Sequence, residues 1–129
     1  MRVTARRRAG YAHSLTAGHH TLIADEPEDR GGRDTGPSPT QLLALSLAAC
    51  TAITIEMYAD RKKWEVGQVE VAVDYELNPK ATSRFDVVLK LPAELSEEQI
   101  EVLRTIAGKC PVHRVLTGEV EITDKVERG

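Results

Sequence analysis

Ser38-Pro39-Thr40-Gln41-Leu42-Leu43-Ala44-Leu45-Ser46-Leu47-Ala48-Ala49-Cys50-Thr51-Ala52-Ile53-Thr54-Ile55-Glu56-Met57-Tyr58-Ala59-Asp60-Arg61-Lys62 decides the fold. Ser38 is a good N-cap, because its hydroxyl can accept from a free amide of the first helical turn. Pro39 suits the first helical position, where an amide would have no partner. Gln41 completes a capping box. The predicted helix runs to about Lys62, roughly 35 Å at 1.5 Å per residue. Its first four turns are apolar nearly all round, so it must be covered on most sides. One small domain has difficulty surrounding such a helix, and a partner chain is expected to cover part of it.

Upstream, residues 25–37 combine charges, Gly and Pro without periodicity and read as a loop. Residues 11–24 hold two short apolar clusters split by Gly18 and read as a hairpin. Met1 to Arg8 carries Arg2, Arg6, Arg7 and Arg8. No apolar stretch of signal-peptide type follows, so no secretion signal is expected.

Downstream, residues 66–77 alternate, with Val69, Val71, Val73, Tyr75 and Leu77 on one face, which predicts a half-buried strand. Asn78-Pro79 opens a turn, and Phe85, Val87, Leu89 and Leu91 form the return strand. Ser96-Glu97-Glu98-Gln99 is a second capping box, starting a helix with Ile100, Leu103, Ile106 and Ala107 on one stripe. Pro111 cannot continue that helix and biases residue 110 away from helical geometry. A break at Lys109–Cys110 and a short helix from Pro111 to about Leu116 follow. Val120 and Ile122 are expected to make a final strand. Strands, long helix, strands, helices and strand in that order are an α+β fold, here a single domain over residues 1–129.

A chain of 129 residues with 41% hydrophobic and 29% charged residues is too apolar for disorder and long enough for a real core. A net charge of -3 argues against a general partner for nucleic acid or anionic membrane, which would need a basic surplus. The apolar run from Leu42 to Ile55 is interrupted by Ser46, Cys50, Thr51 and Thr54. It reads as a core helix, not a bilayer span. The expected location is the cytoplasm.

The chemistry rests on two cysteines. In a reducing compartment they are not expected to form a permanent structural disulfide, and either can be merely a small buried hydrophobe. Cys50 lies mid-helix, sharing a face with Ser46, Leu47, Thr54 and Met57. An apolar site raises a thiol's pKa. Cys110 is the expected N-cap of the helix that Pro111 starts, where free amides favour a thiolate, and Lys109, His113 and Arg114 add positive potential. First principles therefore make Cys110 the more acidic thiol. Cys110-x-x-His113 is also half of a zinc pattern, but the paired spacing of convincing zinc sites is missing.

Gly36-Pro37-Ser38-Pro39-x-x-Leu42-Leu43, Ala48-Ala49-Cys50-Thr51, Tyr58-Ala59-Asp60-Arg61-Lys62 and Lys109-Cys110-Pro111-Val112-His113 together resemble the OsmC/Ohr superfamily of osmotically inducible and organic-hydroperoxide-resistance proteins. The likeness covers about residues 10 to 123. It implies an intertwined homodimer, with long central helices packed against antiparallel sheets. It also implies a peroxidase without a bound cofactor, using an organic hydroperoxide and a dithiol reductant such as a lipoyl group. Cys50 would then be peroxidatic and Cys110 resolving, which reverses the acidity ranking above. The family's peroxidases use an arginine to support the thiolate and a glutamate to hold that arginine. Arg30 matches the arginine by its spacing to the Gly-x-x-Pro motif, and Arg33 is the alternative. In the first turn of the long helix, where the glutamate usually lies, this chain has Thr40 and Gln41. Glu56 is about 120° around the helix from Cys50 and is a poor substitute. A non-catalytic dimer that senses oxidation or binds small molecules is therefore the competing expectation.

Overall fold

A computed structural model describes all residues from Met1 to Gly129. The elements in chain order are β1 (Val3–Ala9), β2 (Ala12–Ala17), β3 (His20–Ala24), a one-turn helix (Glu28–Arg30), α1 (Pro39–Lys62), β4 (Glu70–Glu76), β5 (Arg84–Lys90), α2 (Glu97–Ala107) and α3 (Pro111–Thr117). The expected α+β class holds. The chain forms two compact units, Met1–Leu45 and Ser46–Gly129, with α1 beginning in the first and continuing into the second.

In the first unit β1, β2 and β3 form an antiparallel meander. The expected hairpin is β2–β3, with Leu15 opposite Leu22. β1 was not expected, because its arginines hide any alternation. It forms because β2 offers a ladder: Val3 pairs with Ala17 and Arg7 with His13. Backbone pairing is indifferent to side-chain charge when the side chains are solvated, and every residue of β1 is exposed.

The second unit holds a small core of Ile55, Ala59, Val66, Leu103 and Ala107, with Tyr58, Trp64, Val69, Leu89, Leu91 and Leu95 packed around it. β4 and β5 pair antiparallel, Val73 opposite Val87 and Tyr75 opposite Phe85, with the two rings stacked at 6.2 Å. β4 begins at Glu70, later than the predicted start at residue 66. The reason is that Trp64 and Val66 leave α1 irregularly to fill the core before the chain straightens. The capping box at Ser96 forms as expected, its hydroxyl accepting from the Gln99 amide and its own amide donating to Gln99 Oε1.

The expected final strand at Val120 and Ile122 is absent. Residues 119–129 have no regular structure, and none of the five strands takes them as a neighbour. A strand exists only as a rung of a ladder, so an alternating pattern without an adjacent edge stays unpaired.

α1 starts on the predicted capping box, with the Ser38 amide donating to Gln41 Oε1 at 2.9 Å and the Gln41 amide to Ser38 Oγ at 3.3 Å. Leu47, Thr51, Ile55 and Ala59, four residues apart along one stripe of the helix, are all buried.

 About 200° away around the same helix, Leu45, Ile53 and Met57 are 52%, 52% and 64% exposed, with Ala49 exposed between them. By length and composition α1 would also suffice to cross a bilayer, a property it shares with core helices of soluble proteins.

Candidate active site

Cys50 sits in the middle of α1 and is half-buried. One turn on, Thr54 shares the helix face of Cys50 and pulls its pKa slightly down. Next to Cys50, the Thr51 hydroxyl donates to the Leu47 carbonyl at 2.8 Å.

Cys110 is placed by the end of α2. The Lys109 amide donates to the Ile106 carbonyl at 2.9 Å and the Cys110 amide to the Ala107 carbonyl at 3.4 Å, closing the helix. Pro111 then starts α3, with Cys110 as its N-cap at φ -57° and ψ 134°. The Cys110 sulfur accepts from the His113 amide at 3.3 Å, so it caps α3 as a serine hydroxyl would. Its side chain is fully enclosed.

The fold brings the two thiols, 60 positions apart in sequence, close enough for each to shift the acidity of the other. Burial pushes the Cys50 thiol up, and its hydrogen bond to Cys110 and the charge there push it further up, against smaller opposing bonds from the Val112 amide and Thr54. Burial also pushes Cys110 up, but this is outweighed by hydrogen bonds from Cys50, the His113 amide, Thr51 and the Val112 amide, so Cys110 is held below the ordinary thiol range. Cys110 is thus the more acidic thiol of the pair and Cys50 the less acidic. The acidity ranking read from the helix cap holds in the structure, for the reason given there: amides at a helix start stabilise a thiolate.

Beside the pair lies a cavity of about 180 Å³ lined by Thr51, Val87, Leu89, Arg104, Ala107, Gly108 and His113. Its walls are mostly apolar, and Arg104 and His113 supply the polar groups. No three His, Cys, Asp or Glu side chains are arranged to hold a metal ion. In the Cys110-x-x-His113 segment it is the His113 backbone, not its ring, that meets the sulfur.

Arg30 belongs to the other unit. It ends the one-turn helix, exposed, with its amide donating to the Pro27 carbonyl at 3.0 Å. Arg33 is also exposed. Neither guanidinium has an ion-pair partner within the chain. Thr40 meets only the Ser38 hydroxyl, at 3.4 Å, and Gln41 is occupied by the capping box.

A family model described as OsmC-like protein matches residues 31–125, which is most of the chain. The protein belongs to the OsmC-like family. The fold is similar to that of an OsmC-like protein from Mycoplasma pneumoniae, with a TM-score of 0.76 and 21% identity over 91% of this chain and 86% of that one. It is also similar to an organic hydroperoxide resistance protein OsmC from Legionella pneumophila, with a TM-score of 0.63 and 24% identity over 92% and 90% of the two chains. The organic hydroperoxide resistance protein OhrB of Bacillus subtilis aligns with a TM-score of 0.60 and 26% identity over 93% and 92%. No curated protein matches the sequence.

Within this OsmC-like chain, sequence reasoning found both thiols and missed the groups that tune them. The Val112 amide carries no side-chain signal. Thr51 was visible only as a neighbour of Cys50, and its approach to Cys110 depends on where α2 ends. Asp25 was also missed. It is buried, at 2% exposure, and its carboxylate gathers the loop that carries both arginines. Its sequence signal was weak: an acid before Pro27, followed by Gly31-Gly32 and Asp34-Thr35-Gly36-Pro37.

Proposed function

We propose that this protein is a thiol-dependent peroxidase that reduces organic hydroperoxides to alcohols, and hydrogen peroxide more weakly to water. The observation that carries the reading is the pairing in one site of two thiols of opposite acidity and unequal exposure. Cys50, the more accessible of the two, is the peroxidatic thiol, and enclosed Cys110 is the resolving one. In this reading the Cys50 proton moves to the Cys110 thiolate as the Cys50 sulfur attacks the outer peroxide oxygen. The O–O bond breaks, the alkoxide takes that proton and leaves as alcohol, and Cys50 becomes a sulfenic acid. The Cys110 thiolate then attacks the Cys50 sulfur. The S–S bond forms, and hydroxide leaves as water after gaining a proton. A dithiol, such as a lipoyl group, returns both cysteines to thiols and is itself oxidised to a disulfide. No resident cofactor is needed for this cycle.

Arg30 is assigned the role of the cation that supports the Cys50 thiolate, with Arg33 as the alternative. The chain is taken to act as one OsmC-like domain, in a soluble cytoplasmic homodimer that binds neither nucleic acid nor membrane. The exposed Leu45–Ala49–Ile53–Met57 stripe of α1 supports the homodimer, because an apolar stripe in the centre of a helix calls for a cover.

Stopped-flow consumption of cumene hydroperoxide, with a dithiol supplied and hydrogen peroxide as comparison, tests the reading. Catalytic turnover faster with cumene hydroperoxide is expected. The neutral first turn of α1, with Gln41 tied to Ser38, favours the competing reading of a redox sensor. That reading requires a Cys50–Cys110 disulfide to form once without turnover, and this result would overturn the peroxidase assignment.

A further inference from the structure

In the disulfide that the peroxidase reading requires, an incoming thiolate has two sulfurs to choose from, and the structure gives them unequal surroundings. Cys50 is half-buried and keeps some surface in the middle of α1. Cys110 is 0% exposed. It is held between the end of α2 and the start of α3: its amide donates to the Ala107 carbonyl at 3.4 Å, and Pro111 follows directly. The neighbouring cavity is lined on this side by Thr51, Ala107 and His113, and by neither sulfur. A thiol entering that cavity meets these residues and not Cys110.

The Cys110 sulfur also has a donor fixed in place by the backbone. The His113 amide lies 3.3 Å from it, and no carbonyl within α3 competes for that amide. A disulfide sulfur departs as a thiolate, and a thiolate draws more from such a donor than a neutral sulfur does. Its surroundings hold Cys110 below the ordinary thiol range even against burial. The Cys50 sulfur sits mid-helix, where the amides are committed to the helical ladder. In thiol–disulfide exchange the sulfur attacked must be reachable, and the sulfur expelled leaves faster the more acidic its thiol. Access and leaving ability therefore choose the same direction.

We propose that the reductant attacks Cys50 and expels Cys110, so that the enclosed cysteine, with the His113 amide at its sulfur, is the leaving group of the reductive half-cycle. This direction rests on the disulfide cycle of the peroxidase reading. One thiolate of the dithiol attacks the Cys50 sulfur. The S–S bond to Cys110 breaks, and its electron pair stays on Cys110. The second thiol of the reductant, losing its proton, attacks the reductant's own sulfur in the mixed disulfide. The reductant closes to a disulfide and Cys50 leaves as a thiolate. The dithiol gives up two electrons and two protons, and the two cysteines take them up. A monothiol bound to Cys50 would instead sit beside the expelled Cys110 thiolate, which attacks back and recloses the bond. A second thiol in the same reductant molecule wins that competition by proximity.

The test uses the full-length protein, oxidised with diamide to the Cys50–Cys110 disulfide and freed of excess oxidant. Excess β-mercaptoethanol is added, N-ethylmaleimide stops the exchange at timed intervals, and peptide mass spectrometry locates both labels. The expected result is mercaptoethanol on Cys50 and maleimide on Cys110, in about tenfold excess over the reverse pattern. Equal amounts of the two patterns, or mercaptoethanol chiefly on Cys110, overturn the proposal. His113→Pro removes the amide at the Cys110 sulfur. It should slow reduction of the disulfide by dithiothreitol about fivefold, with the mercaptoethanol label still on Cys50. A folded His113→Pro that is reduced as fast as wild type takes the amide out of the leaving-group role. If that variant does not fold, the labelling pattern of the wild type decides. Failure of the peroxidase reading is visible separately, as absent peroxide turnover in the wild type. A protein in which diamide closes no Cys50–Cys110 bond overturns both.

Discussion

Cys50 and Cys110 carry the same functional group on opposite kinds of backbone. Cys50 lies mid-helix, where every nearby amide is already spent on the α-helical ladder, so its sulfur finds only a threonine on its own helix and groups from the α3 segment. Cys110 lies where one helix has stopped and another begins, and its sulfur takes the His113 and Val112 amides that a helix start leaves free. Both sulfurs are partly or wholly withdrawn from water, yet one is pushed up and the other held down. Burial alone does not set a thiol's acidity; the supply of unspent donors does.

The largest expected effect breaks the symmetry of the pair outright. Cys50→Ser should abolish peroxide consumption. Cys110→Ser should slow the first turnover, because the thiolate that takes the Cys50 proton is gone, but still leave Cys50 as a sulfenic acid, drifting to sulfinic acid with excess peroxide. Mass spectrometry after one equivalent of peroxide reads this. A reactive Cys50→Ser and an inert Cys110→Ser would hand the attack to the more acidic thiol.

The second prediction concerns the frame that holds Cys110 against α1. Leu103 of α2 is fully buried in the core with Ile55, and Leu103→Ala should cost about 2–5 kcal/mol in denaturant melts. Val115 of α3 is 59% exposed, and Val115→Ala should stay within about 0.5 kcal/mol. Equal losses would mean that α3 anchors the resolving thiol as much as α2 does.

A third prediction sharpens the electrostatics. Because Cys110 raises Cys50, Cys110→Ala should move Cys50 alkylation to lower pH. Because the Cys50 hydrogen bond lowers Cys110, Cys50→Ala should move Cys110 alkylation to higher pH. Shifts in the same direction would show that the two thiols do not tune each other in opposite senses.

The smallest effect contrasts the thiols with the other enclosed acid. Asp25 is held below the usual carboxylate range, first by the Thr35 hydroxyl and then by the Thr35, Glu26 and Arg33 amides, against burial, which raises it. A group lowered on folding contributes stability above its unfolded pKa and loses it as pH falls through the folded value. Acid unfolding below about pH 4 should therefore be less steep in Asp25→Asn than in the wild type. An unchanged acid limb in circular dichroism would show that the carboxylate gains nothing on folding.

Local chemistry was legible wherever neighbours in sequence decide the outcome. The capping boxes at Ser38 and Ser96, the break before Pro111 and the acidity of Cys110 depend on residues within four positions, and each stands in the structure. Strands were less legible because a strand depends on its neighbour. β1 formed from an arginine-rich stretch because β2 was available, while the alternating Val120–Ile122 segment found no edge. The sequence by itself thus determined the helices, their caps and the candidate thiols. Only the tertiary structure decided that Cys50 and Cys110 meet, that Cys50 is pushed up while Cys110 is held down, and that Asp25 closes the arginine loop. Each of these depends on backbone donors delivered from distant positions, and an amide has no side-chain signature until the fold has aimed it.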